Sequence, residues 1–579
     1  MKTRETRKQW RTALVDGILA DELAARLRIP VVFAKILLLR GLADPARIDR
    51  FLRPRLSDIS DPFRMPGMPE AVDRIWRAVD SGERIAVFGD YDADGVTSTA
   101  LMVKVLGSLG ADVRPCLPDR MTEGYGFTVQ AAERCVKALA PGLIVTVDCG
   151  SNNEETLAVL GRQGVDVVVT DHHEIRESKA RPVAFVNPHR GGEVGTNGLA
   201  GVGVAFKVCH AILKAGRDRG HTLACKVDLR QYLDLVAIGT VADVVPLLGE
   251  NRILVHNGIA RLKQTGNTGL STLLDGLALE RGTLDSYHLG YVIGPRFNAA
   301  GRLGSPESAL ELLLTLDAGR AAGLAKELED VNRQRISIER ETTDRARQEA
   351  ERVLDPENDR CLVIGLDNLH VGVIGLAASR LCKTYTRPSI VVSFNSDGMG
   401  KGSGRSIPGF DLAEGLRACS SSLQDSGGHC AAAGLSVRRE MFEDFSAMFK
   451  KVCSEKLTPA DLQPVQRIDA WIELREADRD LLGALESLKP FGEGNQSPVF
   501  AARALGIVGV PRTVKESHLK MVLAQGGAQM DAIGFGMAGR EIPQGPIDVA
   551  FSLVRNSYGG RETLQMELKD FRAAAADEG

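Results

Sequence analysis

The chain has 579 residues, 44% hydrophobic and 25% charged, with 72 basic side chains against 75 acidic ones and a net charge of −3. A chain this long needs about two to four cores rather than one, and so balanced a charge gives no overall field to announce a polyanion or a membrane surface. Ten cysteines without a C-x-x-C pair exclude zinc knuckles and a disulfide scaffold and fit a reducing cytoplasm; no signal peptide and no apolar run of about 18 residues is found.

In chain order, residues 1–75 read as an N-terminal helical extension. Its first 56 residues are basic, with 13 Lys/Arg against 6 Asp/Glu, the pattern of a solvated arm. Residues 76–310 alternate short apolar strands, "RIAVFG" (84–89), "LIVTV" (143–147) and "VDVVVT" (165–170), with helical stretches such as "TSTALMVKVLGSLG". Continuous β-branched runs of that length are buried strands, and their alternation with helices predicts a parallel sheet covered on both faces. Residues 311–355 hold one long helix. Between 321 and 354 there is no proline and a single glycine, Gly323, and about 50 Å of helix would be long enough to bridge two domains across a cleft. A second α/β unit, 356–458, opens on "CLVIGLD". In the last region, 459–579, short alternating strands such as "HLKMVLA" and "MDAIGFG" predict an all-β barrel or sandwich.

The chemistry concentrates in "VFGDYDADGVTSTA". Asp90, Asp92 and Asp94 crowd five residues directly after a strand. An EF-hand loop shares the D-x-D-x-D-G start, but its twelfth position should be a bidentate Glu and here is Leu101. Two further strands end in the same way, at Asp148 in "VTVDCG" and at Asp171-His172-His173 in "VVTDHHE". In a parallel sheet these ends share one edge, where open α/β folds bind their ligands. Asp243, in "AIGTVADVVPL", follows a helical run and is a fourth candidate. Carboxylates so crowded cannot all stay ionised unaided. Oxygen ligands with one imidazole suit Mn²⁺ or Mg²⁺, there are enough for two ions with Asp148 between them, and two such ions suit phosphoester hydrolysis.

"DYDADG", "VDCG", "DHH" and "GTVADV", in this order, resemble the DHH phosphoesterase superfamily. "PDRMTEGYGF", "LAGVGVAFK", "GPRFNAAGRLG" and "HVGVIGLAASRL" narrow the resemblance to its RecJ-type single-stranded-DNA exonucleases. "KGSGRS" and "GGHCAAAGLSV" resemble the DHH-associated domain, and "PFGEGNQSPVF" resembles the start of the OB-type domain. The resemblance implies an α/β architecture: a parallel-sheet DHH domain, a long connecting helix, a DHH-associated α/β domain and an all-β OB-like domain. It implies Asp92, Asp94, Asp148, His172 and Asp243 as metal ligands, with Asp148 bridging and catalytic and Asp90 a ligand or support. It implies that Asp171 orients His172, and that His173 contacts the phosphate or assists proton transfer. Many superfamily members carry a His where this chain has Phe88, a departure that RecJ-type members share.

The same resemblance implies that Arg120, Arg302, Ser403, Arg405 and His429 grip the terminal 5′-phosphate and the nucleotide beside the cut. Tyr125, Phe127 and Phe297 are either base-stacking or buried aromatics, and Trp471 reads as core. The implied activity is 5′→3′ degradation of single-stranded DNA to 5′-mononucleotides in repair and recombination. The implied setting is a cytoplasmic monomer off the membrane, partnered by a single-stranded-DNA-binding protein and repair helicases. The alternatives are a short-oligonucleotide or cyclic-dinucleotide phosphodiesterase and a non-catalytic replication scaffold.

Overall fold

The computed structural model of the chain describes residues 8–119, 123, 124, 126–175, 182–191, 198–558 and 561–574. It divides into two compact units, one of residues 12–331 and 468–579, the other of residues 1–11 and 332–467. The boundary at Val331 falls inside one continuous helix, Ala318–Val353. Its Ala321, Leu324 and Leu328 lie in the core of the first unit, and its Ala346 and Ala350 in the core of the second.

The first unit contains a five-stranded sheet, parallel throughout, in the spatial order Val113–Cys116, Ile85–Gly89, Leu143–Val147, Asp166–Thr170, Ala184–Val186. Successive residues of a strand point to opposite faces, and both faces are covered. Val87, Val145 and Val168 pack into one cluster with the helices Met68–Ser81, Ala93–Ser108 and Gly201–Asp218. Phe88, Ile144 and Val169 pack into another with Ala131 and Leu160, from the helices Val129–Leu139 and Glu154–Arg162. The strand order reverses between Ile85–Gly89 and Leu143–Val147. In a doubly wound sheet that reversal opens a crevice at the C-terminal edge, and Asp90 and Asp148 stand at the two strand ends that flank it.

The same unit holds a six-stranded β structure. Strand Phe500–Val514 pairs with both His518–Gln525 and Ile547–Tyr558, which closes it into a barrel. Two register breaks, between Ala502 and Leu505 and between Val508 and Arg512, let this long strand serve both neighbours. The N-terminal helices Gly17–Leu27 and Val31–Leu39 bury Leu23, Phe33 and Leu37 in the barrel's own core, beside Leu481, Phe500 and Phe551. Trp471, expected in the core, is only half-buried. It sits on a two-residue edge strand, where its indole donates to Thr12 and Arg503 lies over its ring.

Arg252 fastens the barrel's leading segment to the helix Gly249–Leu262. It is 2% exposed and donates to the carbonyls of Phe51 (2.7 Å), Leu488 (2.9 Å) and Lys489 (2.9 Å). Arg252→Ala strands those acceptors, and is expected to destabilise this unit by about 3 kcal/mol, read as a lower denaturant midpoint.

The second unit has a mixed five-stranded sheet. Leu362–Asp367 runs parallel to Ser389–Phe394, followed by antiparallel Met399–Arg405, Ala432–Arg438 and Asp425–Gly428. No helix among the described residues is long and apolar enough to cross a membrane.

Candidate metal centre

Asp92 caps the helix Ala93–Ser108. Its Oδ1 accepts from the amides of Asp94 (2.9 Å) and Gly95 (3.1 Å), so the positive helix end meets one of the crowded carboxylates. Asp94 meets a second helix end: its two oxygens accept from Gly201 (2.7 Å) and Val202 (2.9 Å), at the start of Gly201–Asp218. Asp90 accepts from the amide of Tyr91 at 2.7 Å. Asn298, on the helix Gly294–Leu303, braces the loop by accepting from the Ala93 amide at 2.8 Å. Two helix N-termini therefore offset part of the repulsion among these acids.

What they leave uncompensated is specific. Asp148 Oδ1, His172 Nε2 and Asp243 Oδ2 are buried and make no hydrogen bond. His172 Nε2 lies 3.1 Å from Asp148, 3.6 Å from Asp243 and 4.0 Å from Asp94. Three ligand sets come within chelating distance: Asp90, Asp92 and Asp148; Asp94, His172 and Asp243; and Asp148, His172 and His173. Asp148 belongs to two of them. Orphaned polar atoms converging in a buried cluster of carboxylates and imidazole fit a hard divalent cation, and the donor set suits Mn²⁺ or Mg²⁺. Asp148 also adopts φ 60, the left-handed region, at the bend that turns its side chain into the cluster.

The electrostatics agree. Burial, then the Asp92 charge, pushes the Asp94 carboxyl up to about 7. Burial, then Asp94, holds both Asp148 and Asp243 well above the usual carboxylate range. Burial lowers His172 to about 4, so its imidazole is neutral and its lone pair available to a cation. Asp171, expected to orient His172, meets the main chain of that residue and the ring of the next: its Oδ1 accepts the His172 backbone amide at 2.7 Å and lies 2.8 Å from His173 Nδ1. His172 is thereby oriented through its main chain, leaving its ring to the acids. Burial opposes charge on His173, yet the Asp171 bond lifts it to about 9. Burial likewise works against the Asp171 carboxylate, but His173 holds it well below its ordinary value.

"LAGVGVAFK" and "GTVADV" also contain two glycines of this site, whose role no local pattern announces. A Cβ on Gly201 would lie 2.5 Å from Asp148 Oδ1, and one on Gly239 would lie 2.8 Å from Asp94 Oδ1. Gly201→Ala is expected to weaken Mn²⁺ binding about 10- to 100-fold by displacing Asp148, as calorimetric titration would measure.

The residues expected to hold phosphate fall in different places. Arg120 and Tyr125 lie outside the described residues. Arg302 is half-buried on the helix Gly294–Leu303, next to Gly301, whose Cα packs against Tyr91 in the acid loop. Phe127 and Phe297 are fully buried, Phe127 against Phe88, and neither presents a face to a base. Ser403, Arg405 and His429 belong to the second unit. Arg405 Nη1 donates to Ser403 Oγ at 3.1 Å, and both crowd Gly375 in the first turn of the helix Ile374–Tyr385. Ala432 pairs with Arg405 across the sheet, which brings the exposed His429 turn beside that pair.

Three family models match the chain: the DHH family N-terminal domain over residues 84–240, the DHHA1 domain over 358–455 and the RecJ OB domain over 468–570. The single-stranded-DNA-specific exonuclease RecJ of Bacillus subtilis is 34% identical over 98% of this chain and 71% of its own length. That of Escherichia coli is 33% identical over 93% of this chain and 95% of its own length. The crystal structure of RecJ in complex with Mn²⁺ from Thermus thermophilus matches with a TM-score of 0.81 and 30% identity, covering 99% of this chain and 80% of that one.

Proposed function

Because the chain belongs to the RecJ family of single-stranded-DNA-specific exonucleases, we propose that it degrades single-stranded DNA from the 5′ end to 5′-mononucleotides, by two-metal-ion phosphodiester hydrolysis, in repair and recombination. The observation that carries this reading is the convergence of unsatisfied Asp148, His172 and Asp243 atoms at the reversal point of a doubly wound sheet. Asp90, Asp92 and Asp148 would hold one Mn²⁺ or Mg²⁺ and Asp94, His172 and Asp243 the other, and we read Asp148, 3.1 Å from His172, as lying between the two sets. Bound there, the ions supply an activated water and positive charge for the departing oxygen.

The protein's own groups do the rest. Asp92 and Asp94, fixed by helix ends, hold their carboxylates without rearrangement. His173, kept cationic by Asp171, offers a proton or a charged hydrogen bond to the scissile phosphate. In the second unit, Ser403 and Arg405 beside a helix N-terminus form a candidate anchor for the terminal 5′-phosphate. The barrel is the candidate surface for the rest of the strand. A single-stranded-DNA-binding protein and repair helicases complete this reading as partners, with the chain acting as a monomer in the cytoplasm. We likewise infer five domains, with boundaries at 75, 310, 355 and 458.

End-labelled single and double strands, with either end blocked and with or without Mn²⁺, test it. The expected result is metal-dependent shortening of single strands that stops when the 5′ end is blocked. Degradation of a strand whose only free end is 3′ would overturn the polarity. Cleavage confined to short oligomers would favour the phosphodiesterase alternative.

A further inference from the structure

Tyr287 and Tyr291 are 61% and 74% exposed, and their rings stack on each other, centroids 5.0 Å apart and 27° from parallel. Single surface tyrosines need no explanation; a stacked exposed pair does. Tyr287 caps a π-helical turn, His288–Ile293, and Tyr291 lies within it, a rare geometry frequent at functional sites. Four positions apart on such a turn, the two side chains emerge on the same face. The turn is held on several sides. Ser286 Oγ donates to the Phe491 carbonyl (2.5 Å), His288 Nδ1 lies 2.7 Å from Asp285 Oδ1, and Leu289 and Ile293 are buried.

Its position ties it to the metal acids. The turn packs on the helix Leu233–Ala242, which ends at Asp243: Gly290 sits against Val241 and Gly294 against Ala242. It runs directly into Gly294–Leu303, whose Asn298 braces the acid loop at Ala93. Seven residues of helix separate Tyr291 from Asn298, about 10 Å along the axis, or roughly three nucleotide steps at ~3.4 Å each.

We propose that Tyr287 and Tyr291 form a base-stacking platform for the single strand beside the metal centre, an inference that rests on the reading of the chain as a single-strand nuclease. Every base has a π-face, so such a platform holds a strand without reading its sequence, and the tyrosine hydroxyls keep the exposed rings compatible with water while it is unloaded.

The full chain carrying Tyr287→Ala with Tyr291→Ala is compared with wild type and with the Tyr287→Phe, Tyr291→Phe pair, on an oligothymidylate of about 12 nucleotides, an abasic strand of equal length and a dinucleotide. The alanine pair is expected to raise KM for the oligothymidylate about 10- to 100-fold, with kcat on the dinucleotide unchanged. The phenylalanine pair should stay within about twofold of wild type, and the abasic strand should not distinguish the variants. A KM within about twofold for the alanine pair overturns the platform, as does an equal loss on the abasic strand. Wild type leaving the oligothymidylate intact would instead overturn the nuclease reading itself, a failure visible before any variant is compared.

Discussion

Asp148→Asn is expected to lower kcat/KM on single-stranded DNA by at least about 10³-fold, while strand affinity stays near wild type. Asp148 alone of the acids serves two of the three ligand sets, and its Oδ1 has no hydrogen bond to fall back on. Asparagine keeps the shape and tolerates φ 60, so the change removes charge without refolding the bend. Loss of several kcal/mol of charge stabilisation at the phosphate corresponds to three or more factors of ten. Steady-state hydrolysis with Mn²⁺, alongside anisotropy with a labelled strand, checks both halves. A rate within tenfold of wild type would mean that the cluster does not carry the chemistry. Asp94→Asn serves as contrast. Its oxygens already accept from Gly201 and Val202, and an amide can direct its NH₂ at those donors, so the helix joint should loosen and stability fall together with activity.

That contrast also marks where sequence reading stops. Strand ends are local. Once "RIAVFG", "LIVTV" and "VDVVVT" are buried strands, Asp90, Asp148 and Asp171 must share an edge, and the structure places those strands within a residue of the expected bounds. The long helix and the closing barrel follow from equally local patterns, unbroken helical residues in one and period-two alternation in the other. The pairing of Asp94 with amides 107 residues away is not local. Nothing in "DADG" or "LAGVG" separately says that one caps the other. The resemblance separates the two histidines of "DHH" into a ligand and a phosphate contact, but not how Asp171 is shared between the His172 amide and the His173 ring. The π turn at His288–Ile293 was likewise hidden, because "YHLGYVIG" reads equally well as ordinary helix.

The same acids make the metal-free protein sensitive to pH. With chelator, stability is expected to fall as pH rises from 6.5 to 9, and the stabilisation from Mg²⁺ or Mn²⁺ is expected to be larger at the upper end. A carboxyl whose folded pKa lies above its unfolded value binds its proton more tightly when folded, so stability declines as pH climbs from the unfolded value through the folded one. Asp94, lifted by burial and then by Asp92 from 3.8 to about 7, declines over that range, and Asp148 and Asp243, raised well above 3.8 by burial and then by Asp94, act with the same sign. His173 has the same sign. Raised from 6.5 to about 9 by Asp171 against the cost of burial, it stabilises fully below 6.5 and not at all above 9, a loss of about 3 kcal/mol. His172 opposes them only between 4 and 6.5, where the unfolded chain takes its proton first, and Asp171, its carboxyl lowered, acts only below 3.8. Cations bind the deprotonated ligands, so their linkage to folding strengthens as protons leave. Thermal melts at pH 6.5 and pH 9, with chelator and with each metal, measure the difference directly. A metal-induced shift that is absent, or equal at both pH values, would mean that the cations do not bind at these carboxylates.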